Sequence, residues 1–193
     1  MKHALMTKIL SLFSTEHSLA KALQRGDKKA QTHLYDHYSS LMLVICMRYM
    51  GDKMAAEDVM LKGFMRIFDK VDQFNFKGSF EGWIKRIMVN EALMKIRSSK
   101  RFEVGIEEVS VSHFETKASS RLEEADLLLL IRSLPIGYRT VFNLYAIEGF
   151  SHSEIAEKLS VSEGTSKSQL SRARAMLQSK LKIQDKELQK EIK

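Results

Sequence analysis

Proline occurs once and glycine nine times among the 193 residues of this chain, so few positions interrupt a helix. Apolar residues recur at spacings of three and four along nearly the whole length, as in the series Leu34, Tyr38, Leu41 and Ile45. Long segments that alternate apolar and polar residues, as half-buried strands do, are absent from the sequence. The pattern therefore predicts an all-α protein.

Glycines mark where the predicted helices end. The pair Gly26-Asp27 breaks the periodic stretch of residues 20–50, and Gly51-Asp52 closes it. The aspartate of the first pair is suited to cap the helix that follows. Further helices are predicted over residues 55–71, 80–98 and 122–133.

Charge is distributed unevenly along the chain, which has a net charge of +7. Residues 1–100 carry 17 basic and 10 acidic side chains, residues 101–125 carry 3 and 6, and residues 126–193 carry 11 and 8. Basic side chains gain free energy when they displace counterions from nucleic acid, so this layout favours two nucleic-acid-binding modules. We predict a leader (1–19), a helical domain (20–100), a flexible acidic linker (101–121), a second helical domain (122–184) and a charged tail (185–193).

The single cysteine, Cys46, excludes an internal disulfide and a multi-cysteine metal site. It lies in an apolar run, and we interpret it as a small core residue. The apolar runs 41–47 and 127–131 are too short to cross a bilayer, and residues 1–13 are not followed by the cleavage site of a secretory signal. A cytoplasmic protein is the expectation.

Signatures of catalysis are not legible in the sequence. We find no nucleophile with a base, no phosphate-cradling glycine-rich loop and no cluster of metal ligands. His33 and His37 stand at i and i+4, a spacing that can bind zinc, but no third ligand is visible nearby. We expect no enzymatic activity, no cofactor and no small-molecule substrate.

The most specific stretch of the sequence runs from Ser151 to Leu177 and reads SHSEIAEKLSVSEGTSKSQLSRARAML. Ser151 or Ser153 can cap a first helix, and Ser162 can cap a second one after a tight turn. Apolar and small residues give each helix an inner face, and Ala156 allows the two helices to cross closely. This arrangement predicts a helix-turn-helix.

The second of these helices projects polar and basic residues away from its inner face. Ser168, Ser171 and Arg172 stand at i, i+3 and i+4, which forms one stripe able to enter a major groove. Lys167 and Arg174 are better placed for phosphate contacts, which position a protein without specifying a sequence. The stripe predicts a surface that reads duplex DNA.

Residues 134–177 resemble the promoter −35 module of the extracytoplasmic-function (ECF) sigma factors, whose pattern is LPxxxRxVFxLxxxEGxSxxEIAxxLxxSxGTVKSRLxRARxxL. Two residues depart from it: Ser166 replaces the usual valine and Gln169 the usual arginine. The resemblance implies an alternative sigma factor that binds core RNA polymerase and recognises the −35 and −10 promoter elements. It also implies double-stranded promoter DNA and single-stranded −10 DNA as partners, with an anti-sigma factor as a further candidate.

The N-terminal half resembles the −10 and polymerase-binding module of the same family through LYDHY, RYMGD, AEDVM, FMRIF and GSFEGWIKRIMVN. In that family the helix containing Glu-Asp binds the largest polymerase subunit. The resemblance therefore implies a docking surface on the helix of residues 55–71. Its expected contact residues are Asp58, Leu61, Lys62 and Met65.

Promoter melting requires a stacking face for unpaired bases and cations for the phosphates of the strand. The loop over residues 74–80 offers aromatic rings at Phe74 and Phe76, and the flanking helices add basic and amide side chains. By resemblance, this set captures a flipped −10 base. The residues expected to bind −10 DNA are Arg66, Lys70, Phe74, Asn75, Lys77, Lys85, Arg86 and Asn90.

Two other functions are compatible with a helical, basic chain. A conventional helix-turn-helix regulator would use its N-terminal domain to sense a ligand or to dimerise. A helical scaffold would bind protein alone. Association with core polymerase would distinguish a sigma factor from both the regulator and the scaffold.

Overall fold

A computed structural model describes residues 15–99 and 124–191 of the chain. Every long element in these ranges is helical, which confirms the predicted all-α class. Short 3-10 and π-helical turns follow two of the helices, at Val71–Gln73 and Asn143–Ile147. The helices are α1 (Glu16–Gln24), α2 (Lys28–Met50), α3 (Lys53–Lys70), α4 (Phe80–Ser98), α5 (Glu124–Arg132), α6 (Ile136–Phe142), α7 (His152–Leu159) and α8 (Glu163–Glu191).

The chain divides into two compact units. Of the described residues, the first contains 15–46 and Lys53–Ala92, and the second contains Met47–Asp52, 93–99 and 124–191. The predicted linker, 101–121, lies outside the described residues, as does most of the predicted leader. The domain ranges drawn from the sequence therefore remain predictions.

Helix α1 begins at Glu16, inside the segment expected to be a leader. Its start is fixed by a capping box, in which the Thr15 side chain accepts a hydrogen bond from the Ser18 amide at 3.2 Å. The helix ends before Gly26, whose φ of +73° is a conformation that glycine adopts without strain. Asp27 then caps α2, because its Oδ1 accepts from the Lys29 and Ala30 amides.

The core of the first unit forms where α2, α3 and α4 bury apolar side chains at helical spacing. Phe80 and Ile84 are buried, whereas Trp83, Ile87 and Phe68 are only half-buried. Gly63 allows α3 to approach α4, since a Cβ at this position would collide with the Sδ of Met88. The large side chains that lie fully inside this unit are Leu34, Met42, Val59, Ile67, Phe80, Ile84 and Met88.

Helices α5 to α8 pack their apolar stripes together in the second unit. Pro135 forms the N-cap of α6, where its missing N–H leaves no donor unsatisfied. Buried residues of α8 pack against the end of α5 and the residues just after it, and Tyr138 and Phe142 of α6 cover the same cluster. The centre of that cluster is formed by Leu130, Leu134, Ala173 and Leu177.

Arg139 is a buried charge in the second unit, and a buried charge must find hydrogen-bond acceptors. Its Nη1 donates to the carbonyl oxygens of Arg132 at 2.7 Å and Leu134 at 3.3 Å, which joins α5 to α6. Burial and the positive charge of Arg132 lower its pKa to about 10, so the side chain stays charged at neutral pH. The guanidinium therefore connects the backbone at the end of α5 to α6 through hydrogen bonds.

Candidate DNA and polymerase interfaces

The helix-turn-helix begins with a complete capping box. The Ser151 Oγ accepts from the Glu154 amide at 3.3 Å, and the Glu154 carboxylate accepts from the Ser151 amide at 2.8 Å. The Ser151 hydroxyl also donates to this carboxylate at 2.8 Å, and the two hydrogen bonds that Ser151 donates to it lower the pKa of Glu154. Ser151, and not Ser153, is therefore the cap of α7.

The turn that follows α7 sets the direction of α8. Ser160 adopts a left-handed conformation with φ of +56°, which ends α7. The Ser162 Oγ then accepts from the Thr165 amide at 3.0 Å and caps α8, as the sequence predicts. Ile155 and Leu159 of α7 are buried, so the two helices share one inner side.

The outer side of α8 carries the residues expected to bind −35 DNA. Ser168 and Ser171 are exposed, and the Ser168 hydroxyl donates to the Thr165 carbonyl oxygen at 3.0 Å. The structure brings the predicted stripe together on one exposed face. Its members, Ser168, Ser171 and Arg172, are all exposed, and so are Lys167 and Arg174, the residues expected to contact phosphates.

Two tyrosines that the sequence reasoning did not identify support the arginines of α8. The Arg172 Nη1 donates to the Tyr138 hydroxyl at 3.4 Å, and the Arg174 guanidinium lies 5.6 Å from the centre of the Tyr145 ring. Cation–π contacts of this kind contribute about 0.5–1 kcal/mol at exposed sites. Both arginines are therefore partly oriented before any DNA is bound.

The two departures from the family pattern face inward. Ser166 is fully buried, and its Oγ lies 2.9 Å from the Nδ1 of His152, which links α8 to the first turn of α7. Gln169 is 9% exposed and lies over Gly137, whose missing side chain leaves room for the amide. Ser166 and Gln169 therefore act on the packing of the helix-turn-helix and do not lie on its exposed stripe.

The loop between α3 and α4 contains two aromatic rings, one of which is buried and the other partly exposed. Phe74 is 5% exposed and packs against Phe80 and Trp83, with ring centres 5.0 and 5.7 Å away. Phe76 is only half-buried, and its backbone φ of +61° is uncommon for a bulky residue. In this conformation the accessible ring of the loop belongs to Phe76.

The polar residues expected to bind −10 DNA lie at the surface around this loop. Arg66 pairs with Glu91 through Nε and Oε1 at 3.1 Å, and Lys85 pairs with Glu81 at 2.6 Å. The Asn75 Oδ1 accepts from the Lys77 amide at 3.1 Å, which shapes the loop. Lys85 is half-buried, and the exposed members are Arg66, Lys70, Asn75, Lys77, Arg86 and Asn90.

Helix α3 presents an apolar stripe to the surface. Met54, Leu61 and Met65 are 78%, 51% and 66% exposed, and spacings of seven and four place them on one face. Asp58 and Lys62 lie beside the stripe and form an ion pair at 2.9 Å. Exposed apolar patches of this kind commonly mark a protein interface.

A groove between α2 and α3 extends this surface. It has a volume of about 310 Å³ and is open to solvent. Apolar side chains supply most of its walls, and Glu57 adds a carboxylate at its edge. The lining residues are Tyr35, Ser39, Ser40, Leu43, Glu57, Met60 and Leu61.

Comparison with known proteins identifies both halves of the chain. The family model for sigma-70 region 2 matches residues 34–102, and that for sigma-70 region 4 matches residues 124–177. The ECF RNA polymerase sigma factor SigW of Bacillus subtilis is 30% identical over 176 residues, which cover 84% of this chain and 94% of that protein. This chain belongs to the ECF family of RNA polymerase sigma factors.

Other relatives carry similar descriptions. The ECF RNA polymerase sigma-E factor of Haemophilus influenzae is 27% identical over 181 residues, covering 86% of this chain and 95% of that protein. A solved structure of the sigma factor RpoE bound to the anti-sigma factor NepR, from Bartonella quintana, is 26% identical. It has a TM-score of 0.46 and covers 77% of this chain and 98% of that one.

The family assignment decides between the functions that the sequence left open. As a sigma factor, the protein recognises promoters and directs RNA polymerase to initiate transcription. Sigma factors are initiation factors and not enzymes. The family match therefore favours promoter recognition over a ligand-sensing regulator or a scaffold.

The remaining sequence hypotheses concern Cys46, the histidine pair and membrane segments. Cys46 is buried, as predicted, and burial raises the pKa of its thiol to about 12. His33 and His37 stack with ring centres 5.9 Å apart, and no cluster of three metal-ligating side chains occurs in residues 15–99 or 124–191. Within the same ranges, no helix is both long and apolar enough to cross a membrane.

Proposed function

We propose that the sigma factor divides promoter recognition between its two predicted domains. Residues 122–184 bind the −35 element, residues 20–100 bind the −10 element and core polymerase, and residues 101–121 connect them. The observation that carries this proposal is the exposed stripe on α8, which follows a capped turn and lies opposite a buried inner face.

Helix α8 enters the major groove of the −35 element in this proposal. Arg172 donates two hydrogen bonds to one guanine, and Ser168 and Ser171 contact neighbouring base edges. Lys167 and Arg174 neutralise backbone phosphates and fix the register of the helix. In the free protein the Lys167 ammonium lies 3.5 Å from the Glu163 carboxylate. When DNA binds, Lys167 leaves this ion pair and contacts a phosphate.

The −10 site is centred on the loop between α3 and α4. Because Phe74 is packed inside, we assign the stacking face to Phe76 and give Phe74 the role of its support. Asn75 and Asn90 provide hydrogen-bonding groups for an unpaired base. The strand's phosphates are contacted by Arg66, Lys70, Lys77, Lys85 and Arg86.

Core polymerase docks on α3 in this proposal. Leu61 and Met65 supply exposed apolar area, and Asp58 and Lys62 flank it with an ion pair that sets polar complementarity. An apolar centre with a polar rim is the usual anatomy of a protein interface. The groove beside Leu61 offers a continuation of the same contact.

The remaining assignments follow from this role. The protein works in the cytoplasm, where promoters and polymerase are found, and it uses no cofactor, catalytic residue or small-molecule substrate. An anti-sigma factor remains a prediction from family resemblance. It would compete with promoter DNA or core polymerase for the surfaces described above.

Separate variants test the −10 assignment. Asn90→Ala and Lys85→Ala are expected to leave −35 duplex binding within about twofold of wild type, because neither residue lies on α8. Both should reduce open-complex formation, since each removes a contact to the melted strand. Permanganate footprinting of unpaired thymines on a supercoiled promoter measures this effect.

A matched variant completes the test of the −10 site. Arg172→Ala should weaken −35 binding, and at saturating holoenzyme it should leave the extent of melting unchanged. Footprints of Asn90→Ala and Lys85→Ala that equal wild type would contradict the melting assignment and leave the −35 assignment standing.

A further inference from the structure

The N-terminal helix α1 fixes one end of the −10 loop. The Glu16 carboxylate accepts from the Phe80 amide at 2.9 Å, from the Ser79 hydroxyl at 3.3 Å and from the Glu81 amide at 3.4 Å. It thereby caps α4, whose first amides have no partner within their own helix. A carboxylate is also stabilised by the positive end of the helix dipole.

The other end of α1 holds the beginning of the loop. The Gln24 side-chain amide donates to the carbonyl oxygens of Val71 and Phe74, both at 3.0 Å. Glu16 and Gln24, at the two ends of α1, therefore hold the loop by hydrogen bonds on both sides of Phe76. A bulky residue at positive φ is strained, and this double attachment helps to hold it.

Two exposed side chains of α1 lie against the ring of Phe76. The His17 ring centre is 4.5 Å from that of Phe76, with the two planes tilted by 48°. The Lys21 ammonium is 5.9 Å from the centre of the same ring. His17 and Lys21 stand at i and i+4, so one face of α1 adds an aromatic ring and a cation beside the loop.

Aromatic rings next to cations are the combination that binds single-stranded nucleic acid, because bases stack on the rings and phosphates pair with the cations. We propose that His17 and Lys21 complete the −10 site. His17 extends the stacking surface of Phe76 for an unpaired base, and Lys21 contacts an adjoining phosphate. Glu16 and Gln24 are positioning residues that keep the loop in a binding-competent conformation. This inference rests on the proposed function of the loop.

The test uses holoenzyme and a fluorescent single-stranded DNA that carries the non-template sequence of a promoter opened by the wild-type protein. His17→Ala is expected to weaken binding about fivefold or more, whereas His17→Phe should restore it to within about twofold of wild type. Lys21→Gln should weaken binding about threefold. It should also reduce the salt dependence of log K by about 0.7, the change expected for one lost phosphate contact on a single strand.

The control is Lys29→Gln, which removes an exposed cation from the first turn of α2 in the same unit. It should change neither the affinity nor the salt dependence. Thermal unfolding of each variant shows whether a loss of affinity reflects a loss of folding. The Phe variant at position 17 separates a stacking role from an imidazole-specific one.

Three results would overturn the inference. The first is wild-type affinity and salt dependence in both His17→Ala and Lys21→Gln, in a holoenzyme that still binds the single strand. The second is a weakened His17→Ala protein whose binding loss follows a lowered unfolding midpoint and is not restored by Phe. The third is a wild-type holoenzyme that binds no single strand, which would also remove the proposed function of the loop.

Discussion

Replacing Leu61 and Met65 together by aspartate is expected to weaken the binding of core RNA polymerase by at least about 100-fold. The two side chains form the centre of the exposed apolar stripe on α3. At the centre of an interface, truncation of single anchor residues often costs 2 kcal/mol or more. A buried carboxylate without a partner adds a desolvation penalty to that loss.

The variant should fold normally, because both positions are more than half exposed in the free protein. Its binding to a −35 duplex should be unchanged, since α3 is remote in sequence from α8. Titration of fluorescently labelled protein with core polymerase measures the affinity, and thermal unfolding checks the fold. Promoter-specific transcription should fall with the affinity.

Met94→Asp is the matched control for this prediction. Met94 is also an exposed methionine, at 46%, but it lies on α4 and carries no assigned contact. It should bind core polymerase with wild-type affinity. Equal losses in the control and in the Leu61/Met65 variant, or no loss in either, would contradict the docking surface.

Arg172→Ala is expected to cost about 1–3 kcal/mol at one base pair of the −35 element, which is about 5- to 150-fold in affinity. The guanidinium is exposed and is oriented by the Tyr138 hydroxyl, so it can donate two parallel hydrogen bonds to a guanine. Without Arg172, that base pair should tolerate substitution. Binding assays on duplexes that vary each −35 position in turn measure the effect.

Lys167→Ala is the control for Arg172. A lost phosphate contact should weaken every duplex by a similar factor and reduce the salt slope by about one. If Arg172→Ala loses the same affinity for every duplex sequence, Arg172 contacts a phosphate and not a base. The reading of bases would then depend on Ser168 and Ser171 alone.

The helices themselves could be predicted from the sequence, because their signals are local. Gly26 and Gly51 end helical stretches, and Ser162 caps α8 as expected from its position before the helix. The exposed stripe of α8 follows directly from a period of 3.6 residues. The same period places Ser166 in line with Leu170, Ala173 and Leu177, so its burial could have been foreseen.

The geometry of the −10 loop could not be predicted in the same way. A loop has no period, so the sequence could not show that Phe74 would be buried and Phe76 exposed in part. The hydrogen bond from the Phe80 amide to Glu16 joins residues 64 positions apart, and it depends on the packing of the whole unit. For the same reason the predicted leader, residues 1–19, includes the first turn of α1, which begins at Glu16.

The contacts that orient the arginines of α8 could not be predicted from the sequence either. Tyr138 and Tyr145 look like ordinary helix residues, yet the Tyr138 hydroxyl accepts a hydrogen bond from Arg172 and the Tyr145 ring lies against the Arg174 guanidinium. Such contacts arise only when α6 and the π-helical turn are packed against α8. Side chains that orient a binding group are therefore harder to predict than the group itself.

Transcription by purified core polymerase on supercoiled genomic DNA tests the central claim most directly. Added protein should join the core enzyme and direct initiation to a defined set of promoters with shared −35 and −10 sequences. Mapping the 5′ ends of the transcripts provides the measurement. A protein that does not bind the core enzyme, or that leaves its start sites unchanged, would contradict the account.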